Sequence, residues 1–180
     1  MKNKKKLVIM DFDDTLVISD EHSIIITHED GTIIELNGKD WSKYSPKPGD
    51  IYDFSHLEHL KNPRPIHKTW KTLLDRLYSL GPENVHILTA RSSQKPLEKY
   101  FRDHGVLVPV HGLGIPPGQN NGIHKARWIE EQIAKGGWDI IEFFDDRDDC
   151  VTEVLRLKEK YQNILFFVWQ IKDEDMFYCS

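Results

Sequence analysis

At 180 residues, with 39% hydrophobic and 11% aromatic content, the chain can bury one core plus a modest insert and is not a disordered polymer. A net charge of −5 gives no general pull towards nucleic acid or anionic membrane, and the run Lys2, Lys4, Lys5, Lys6 reads as a solvated end. No apolar run suits a signal-peptide core or a bilayer span, and the two cysteines, Cys150 and Cys179, set up no disulfide framework, so a soluble cytoplasmic protein is expected, with no membrane partner and no obligate protein partner.

The first element is Leu7-Val8-Ile9-Met10, a short apolar run that reads as a buried strand and leads directly into Asp11-Phe12-Asp13-Asp14-Thr15. At ~3.3 Å per residue, Asp11 and Asp13 lie about 6–7 Å apart and on one face if the chain stays extended. Carboxylates this close repel unless a proton or a cation screens them, so the cluster suits chemistry better than packing. The plain alternative is that Asp13 or Asp14 caps a short helix beginning near Leu16.

Ser23–Thr27 and Thr32–Leu36 are β-branched runs around Glu29-Asp30-Gly31, a hairpin signal. Trp41 to Pro65 is rich in proline and aromatic residues and long for a structureless loop, which marks it as functional or as holding short helical turns. Its segment Asp53 to His56 is a candidate cover for a core edge, while His56, His59 and His67 match no familiar zinc spacing and read as surface histidines. A helix is expected from Pro65, with Ile66, Trp70, Leu73, Leu74 and Leu77 on its buried face and Gly81-Pro82 as its stop.

Val85 to Thr89 is a second buried strand, ending in Thr89-Ala90-Arg91-Ser92. A strand-end hydroxyl commonly caps the following helix, and Arg91 is either an exposed structural residue or a bidentate phosphate contact. Gln94 to His104 reads as a helix with Leu97, Tyr100 and Phe101 inward, and Val106 to Val110 as a strand that Pro109 places at an edge. The glycine-rich stretch 112–122 lacks both phosphate-loop signatures. The next helix opens at Gly122-Ile123-His124-Lys125, with Ala126, Ile129 and Ile133 inward. A lysine there opposes the helix dipole, a local inconsistency that hints at function. Ile140 to Phe144 then leads into Asp145-Asp146-Arg147-Asp148-Asp149, repeating the logic of the first strand. A helix from Cys150 to Tyr161, a strand from Asn163 to Gln170 and a solvent-exposed tail complete the chain.

The order DxDxT, strand-end Thr89, Lys125 and the second acidic strand end resembles the four motifs of the haloacid dehalogenase (HAD) superfamily of phosphohydrolases. The resemblance spans about residues 7–170, with 16–64 matching only as an insert. Independently, the alternation of strands and helices predicts an α/β fold with a parallel sheet and ligands at its carboxyl edge. The resemblance implies a Rossmann-like three-layer sandwich over residues 1–180, with a β-hairpin flap in the insert at about 16–64. It implies Asp11 as nucleophile, Asp13 as acid and base, and Lys125 as a further catalytic cation. Thr15, Thr89 and Arg91 would contact the substrate phosphate. Mg²⁺ would be held among Asp11, Asp13, Asp145, Asp146 and Asp149, with the choice between Asp146 and Asp149 beside Asp145 left open. Arg127 and Lys95 are weaker alternatives to Lys125.

The expected activity is therefore Mg²⁺-dependent phosphomonoester hydrolysis through an aspartyl phosphate. Asp13 favours a phosphatase or a mutase within the superfamily. The roughly 35 residues between Thr89 and Lys125 leave no space there for a large water-excluding cap, which favours the phosphatase. Asp145-Asp146-Arg147 also resembles the acidic motif of polynucleotide 3′-phosphatase domains, so a nucleic-acid end or a nucleotide stands beside a phosphorylated small molecule as substrate. The alternative of a different class is a non-catalytic module that binds a phosphorylated ligand.

Overall fold

The computed structural model describes residues 4–20 and 23–179; Lys2 of the basic run lies outside them. The first strand, β1 (Lys6–Met10), ends in a tight turn rather than a helix: the Leu16 and Val17 amides both donate to the Phe12 carbonyl, and the Asp14 amide donates to Val17. The short strand β2 (Val17–Ile18) leads into the insert. There β3 (Ile24–Thr27) and β4 (Ile33–Leu36) pair antiparallel, Thr27 opposite Ile33. Gly31 takes φ +83 in their loop, the left-handed position that closes a three-residue hairpin.

The stretch after the hairpin is more regular than its composition suggests. It forms a one-turn helix, α1 (Gly38–Trp41), and a third insert strand, β5 (Ile51–Asp53), on the free edge of β3. Phe54, proposed as an edge cover for the core, packs instead edge-on against Trp41 within the insert. Pro65 does not start the helix. It belongs to β6 (Arg64–Pro65), which pairs with β2, and α2 (His67–Leu80) begins after Ile66. Ile66 and Leu73 are buried and Trp70 and Leu77 partly so, but Leu74 faces solvent; the apolar stripe is narrower than the sequence spacing suggests.

Strand β7 (Val85–Thr89) and helix α3 (Lys95–Asp103) follow expectation. The next strand, β8 (Val110–Gly112), starts four residues later than expected, because the chain from Val106 to Pro109 carries no ladder beyond the single bond from Ile87 N–H to the Pro109 carbonyl. Helix α4 (Asn121–Lys135) is capped by Asn120, whose side chain accepts from the Ile123 amide. Strand β9 (Ile140–Asp145), helix α5 (Asp148–Lys160) and strand β10 (Leu165–Lys172) come next. The tail is not free: β11 (Asp175–Tyr178) turns back and pairs antiparallel with β10.

The main sheet has the order β11-β10-β9-β1-β7-β8, parallel except for β11. Its central strands are apolar on both faces because helices cover both. Val8, Met10 and Phe12 pack with Leu73 of α2 and Leu97, Tyr100 and Phe101 of α3. Leu7, Ile9, Ile141 and Phe143 pack with Ile129 of α4 and Val151, Val154 and Leu157 of α5. Each fully buried side chain of this size contributes about 1.5–3 kcal/mol. This is an α/β architecture of Rossmann-like type. The chain leaves β1 towards β7 and β8, then returns through α4 to β9 on the other side of β1. The order reverses between β1 and β9, and in open α/β sheets that reversal makes a crevice at the strands' carboxyl ends. Among the described residues, no helix is long and apolar enough to cross a membrane.

Candidate active site

Strands β1 and β9 run side by side with Met10 opposite Phe144, and the Asp11 amide donates to the Phe144 carbonyl at 2.9 Å. Alternation along each strand puts Leu7, Ile9 and Asp11 on the α4/α5 face, together with Ile141, Phe143 and Asp145. Two carboxylates are thereby brought together at the reversal point. The third group comes from α4. A Cβ on Gly122 would lie 2.2 Å from the Asp149 carbonyl, so only glycine lets α4 approach the start of α5 this closely. One turn on, Lys125 is buried and its Nζ lies 2.7 Å from both Asp11 Oδ1 and Asp145 Oδ2. The lysine that opposes its own helix dipole is held by two carboxylates.

The cluster carries more negative charge than Lys125 offsets. Asp146, next to Asp145, offers a third carboxylate, and oxygens of Asp11, Asp145 and Asp146 lie within 4.8 Å of one another. Burial pushes the Asp11 carboxyl well above its ordinary value; Lys125 pulls it down, while Asp145, Asp146 and Asp13 push it up further. Asp146 is pushed up to about 7, by burial first and then by Asp145, with Lys125 opposing. Burial works against charge on Lys125, but Asp11 and Asp145 outweigh it and hold the ammonium well above its usual range. Three converging hard oxygen donors with an unbalanced charge could hold a metal ion.

Of the carboxylates proposed from sequence as metal ligands, Asp13 and Asp149 are not in this group. The turn after β1, with Asp14 at φ +55, carries Asp13 across to Arg91. Arg91 grips it with both arms, Nε at 2.8 Å from Oδ2 and Nη2 at 2.7 Å from Oδ1. Asp149 accepts from Arg147 Nε at 2.9 Å, so Asp146 is the residue that stands beside Asp145. Arg91 therefore meets a carboxylate of its own chain at the position where the sequence suggested a phosphate contact.

Thr89 is buried at the end of β7. Its hydroxyl accepts from the Arg91 amide at 3.2 Å and does not cap α3, which begins six residues later. Thr15 is fully buried: its carbonyl accepts from Thr69 Oγ1 at 2.6 Å, and its hydroxyl has no hydrogen-bond partner among the described residues. Arg127, the weaker alternative to Lys125, is exposed on α4.

The insert touches this edge of the sheet at several places. Arg91 Nη1 donates to the Leu57 carbonyl at 3.2 Å. On the loop before α4, the Gly118 amide donates to the Trp41 carbonyl at 3.3 Å, and Trp41 Nε1 lies 3.5 Å from the Ile115 carbonyl. The insert also has a polar centre that the sequence did not reveal. Asp50 accepts from the Tyr44 hydroxyl at 2.5 Å and from the Lys47 amide at 2.7 Å, and lies 2.6 Å from His28 Nδ1. A second polar group lies at the buried Glu142, held by Arg76 and Lys6. Its signal was present: a lone acid interrupting the apolar run Ile140–Phe144 needs a partner from elsewhere in the chain. No protein-family model, curated protein or solved structure matches the chain.

Proposed function

We propose that this protein is a Mg²⁺-dependent phosphomonoester hydrolase of the haloacid dehalogenase type, working through an aspartyl phosphate. The observation that carries the reading is the buried Asp11–Lys125–Asp145 group with Asp146 beside it, at the point where the sheet order reverses. A purely structural ion group would leave no carboxylate in excess of its cations; this one carries an excess of carboxylate at a crevice.

Asp11 Oδ attacks phosphorus and the ester P–O bond breaks, leaving the phosphoryl group on Asp11. Asp13 delivers a proton to the departing oxygen and then takes one from the attacking water. The water oxygen joins phosphorus, the bond to Asp11 breaks, and phosphate leaves with the carboxylate restored. Lys125 and the Thr89 hydroxyl stabilise charge on the transferring oxygens. Asp11, Asp145 and Asp146 would hold Mg²⁺, which supplies positive charge against both the phosphate and the carboxylates.

The test is phosphate release from p-nitrophenyl phosphate, followed by a panel of phosphorylated metabolites, nucleotides and 3′- or 5′-phosphorylated oligonucleotides to rank substrates. Turnover should stop with chelator and return with Mg²⁺. Asp11→Asn should lose on the order of 10⁴–10⁶-fold, the scale seen when a nucleophile or its partner is removed. Rapid-quench mass spectrometry should find the phosphoryl group on Asp11. Full turnover in excess chelator by protein free of trapped metal overturns the reading, and saturable phosphate binding with no turnover on any substrate favours a binding module.

A further inference from the structure

Arg91 joins three parts of the molecule that are far apart in the chain. Its guanidinium side chain is 8% exposed, whereas that of its partner Asp13 is 37% exposed. Two of its arms lie on the two oxygens of Asp13, and a third N–H reaches the Leu57 carbonyl in the insert. Its own amide is tied to Thr89 Oγ1. Asp13 sits on a turn whose next residue is in the left-handed region, and more than a third of its side chain faces solvent. A single hydrogen bond would leave such a carboxylate free to rotate. A planar fork on both oxygens sets its plane and direction, which a lysine cannot do in the same way.

We propose that Arg91 is a positioning residue, which fixes the Asp13 carboxylate at the leaving-group side of the site and ties that position to the insert through the Leu57 carbonyl. Gripping the substrate phosphate is not its role, because the fork that would do so is already filled by Asp13. The inference rests on the phosphatase reading, in which Asp13 handles the leaving-group proton. Losing Arg91 then leaves the nucleophile and the phosphate contacts intact, but lets the acid and base wander. Misplacement of a reacting group by about 1 Å can cost on the order of 10²-fold.

The experiment compares Arg91→Gln, Arg91→Lys, Asp13→Asn and the double variant Arg91→Gln/Asp13→Asn with the wild type in Mg²⁺. Each is assayed on an alkyl phosphate, whose leaving oxygen needs a proton, and on p-nitrophenyl phosphate, whose leaving group is stable as an anion. Arg91→Gln should cut kcat/KM for the alkyl ester by about 10²-fold. It should leave kcat/KM for p-nitrophenyl phosphate, which reports the first step, and inhibition by inorganic phosphate unchanged. Arg91→Lys, with charge but no fork, should fall between the two. The double variant should be no slower than Asp13→Asn alone, because residues acting as one unit do not add.

Equal losses on both esters with weakened phosphate inhibition would show that Arg91 grips phosphate, and overturn the proposal. So would additive losses in the double variant. If Arg91→Gln melts well below wild type, the ratio between the two esters in Arg91→Lys decides, and an unchanged ratio counts against positioning. If the wild type turns over no phosphomonoester, the phosphatase reading has failed and the role of Arg91 falls with it. If the wild type turns over and the Arg91 variants keep its ester selectivity, only this inference fails.

Discussion

Strand β9 carries two buried acids, three residues apart and on opposite faces of the sheet, and their surroundings differ in sign. Glu142 faces α2, where Arg76 holds it at 2.7 and 2.9 Å and Lys6 at 3.2 Å. Burial would raise its carboxyl, but Arg76 and then Lys6 outweigh that and hold it below the usual range. Asp145 faces α4, where Lys125 bonds both Asp145 and Asp11 and the Asp146 carboxylate stands beside them. One group has more positive than negative charge and reaches solvent through its cations; the other has excess negative charge and is nearly sealed. A buried acid is thus no sign of a site by itself. The sign is an imbalance that the protein leaves for a ligand to correct.

The comparison breaks most sharply at Lys125. Lys125→Met removes the ammonium that bonds Asp11 and Asp145 and should cost about 3–5 kcal/mol in denaturant unfolding without metal. Added Mg²⁺ should restore part of that loss. A Lys125→Met protein as stable as wild type without metal would mean that the lysine does not hold the cluster together.

A second expectation concerns pH. The folded value of Asp146, about 7, lies above its ordinary 3.8, so between them the folded protein keeps a proton that the unfolded chain releases. Stability from this group is therefore complete below about pH 4 and lost as pH rises through about 7. The slope should reach about 1.4 kcal/mol per pH unit. Asp146→Asn and saturating Mg²⁺ should each flatten it; an unchanged slope in Asp146→Asn refutes the assignment. The insert runs the other way. Burial would raise Asp50, but Tyr44, the Lys47 amide and His28 hold it at about 2, so its stabilisation is lost only as pH falls from about 4 towards 2.

The smallest effect belongs to Glu142. Glu142→Gln leaves Arg76 and Lys6 partly hydrated, with 31% and 23% of their side chains exposed. It should cost about 1–3 kcal/mol in stability. Turnover of the folded protein should not change. A large loss of kcat at a temperature where the variant is fully folded would erase the distinction between the two faces of β9.

Much of this arrangement is legible in the residue order. Leu7–Met10 is a continuous apolar run, and Val85–Leu88 and Ile140–Phe144 are apolar runs each broken by one polar residue, His86 and Glu142; such runs mark strands covered on both faces. The hairpin of the insert is carried by Asp30-Gly31, whose glycine adopts the positive φ that the loop needs. Acids placed directly after two of those apolar runs announce the carboxyl edge of the sheet. By contrast, β11 follows a two-residue turn at Asp173-Glu174, both with positive φ, where the sequence has no glycine or asparagine to mark it. Pro65 and Ile51 to Asp53 look irregular because short strands of two or three residues have no period to detect. What the sequence alone determined is therefore the central strands of the main sheet, the hairpin of the insert and the chemical kind of residue at the ends of those central strands. Which acids meet was decided only in three dimensions. Arg91 lies 78 positions from Asp13, Arg76 lies 66 from Glu142, and Lys125 lies 114 from Asp11. Those pairings follow from the registers of β1 on β9 and on β7, and from the seats of α2 and α4 on the sheet, that of α4 being given by Gly122. Both are set by packing between distant segments, which no local pattern encodes.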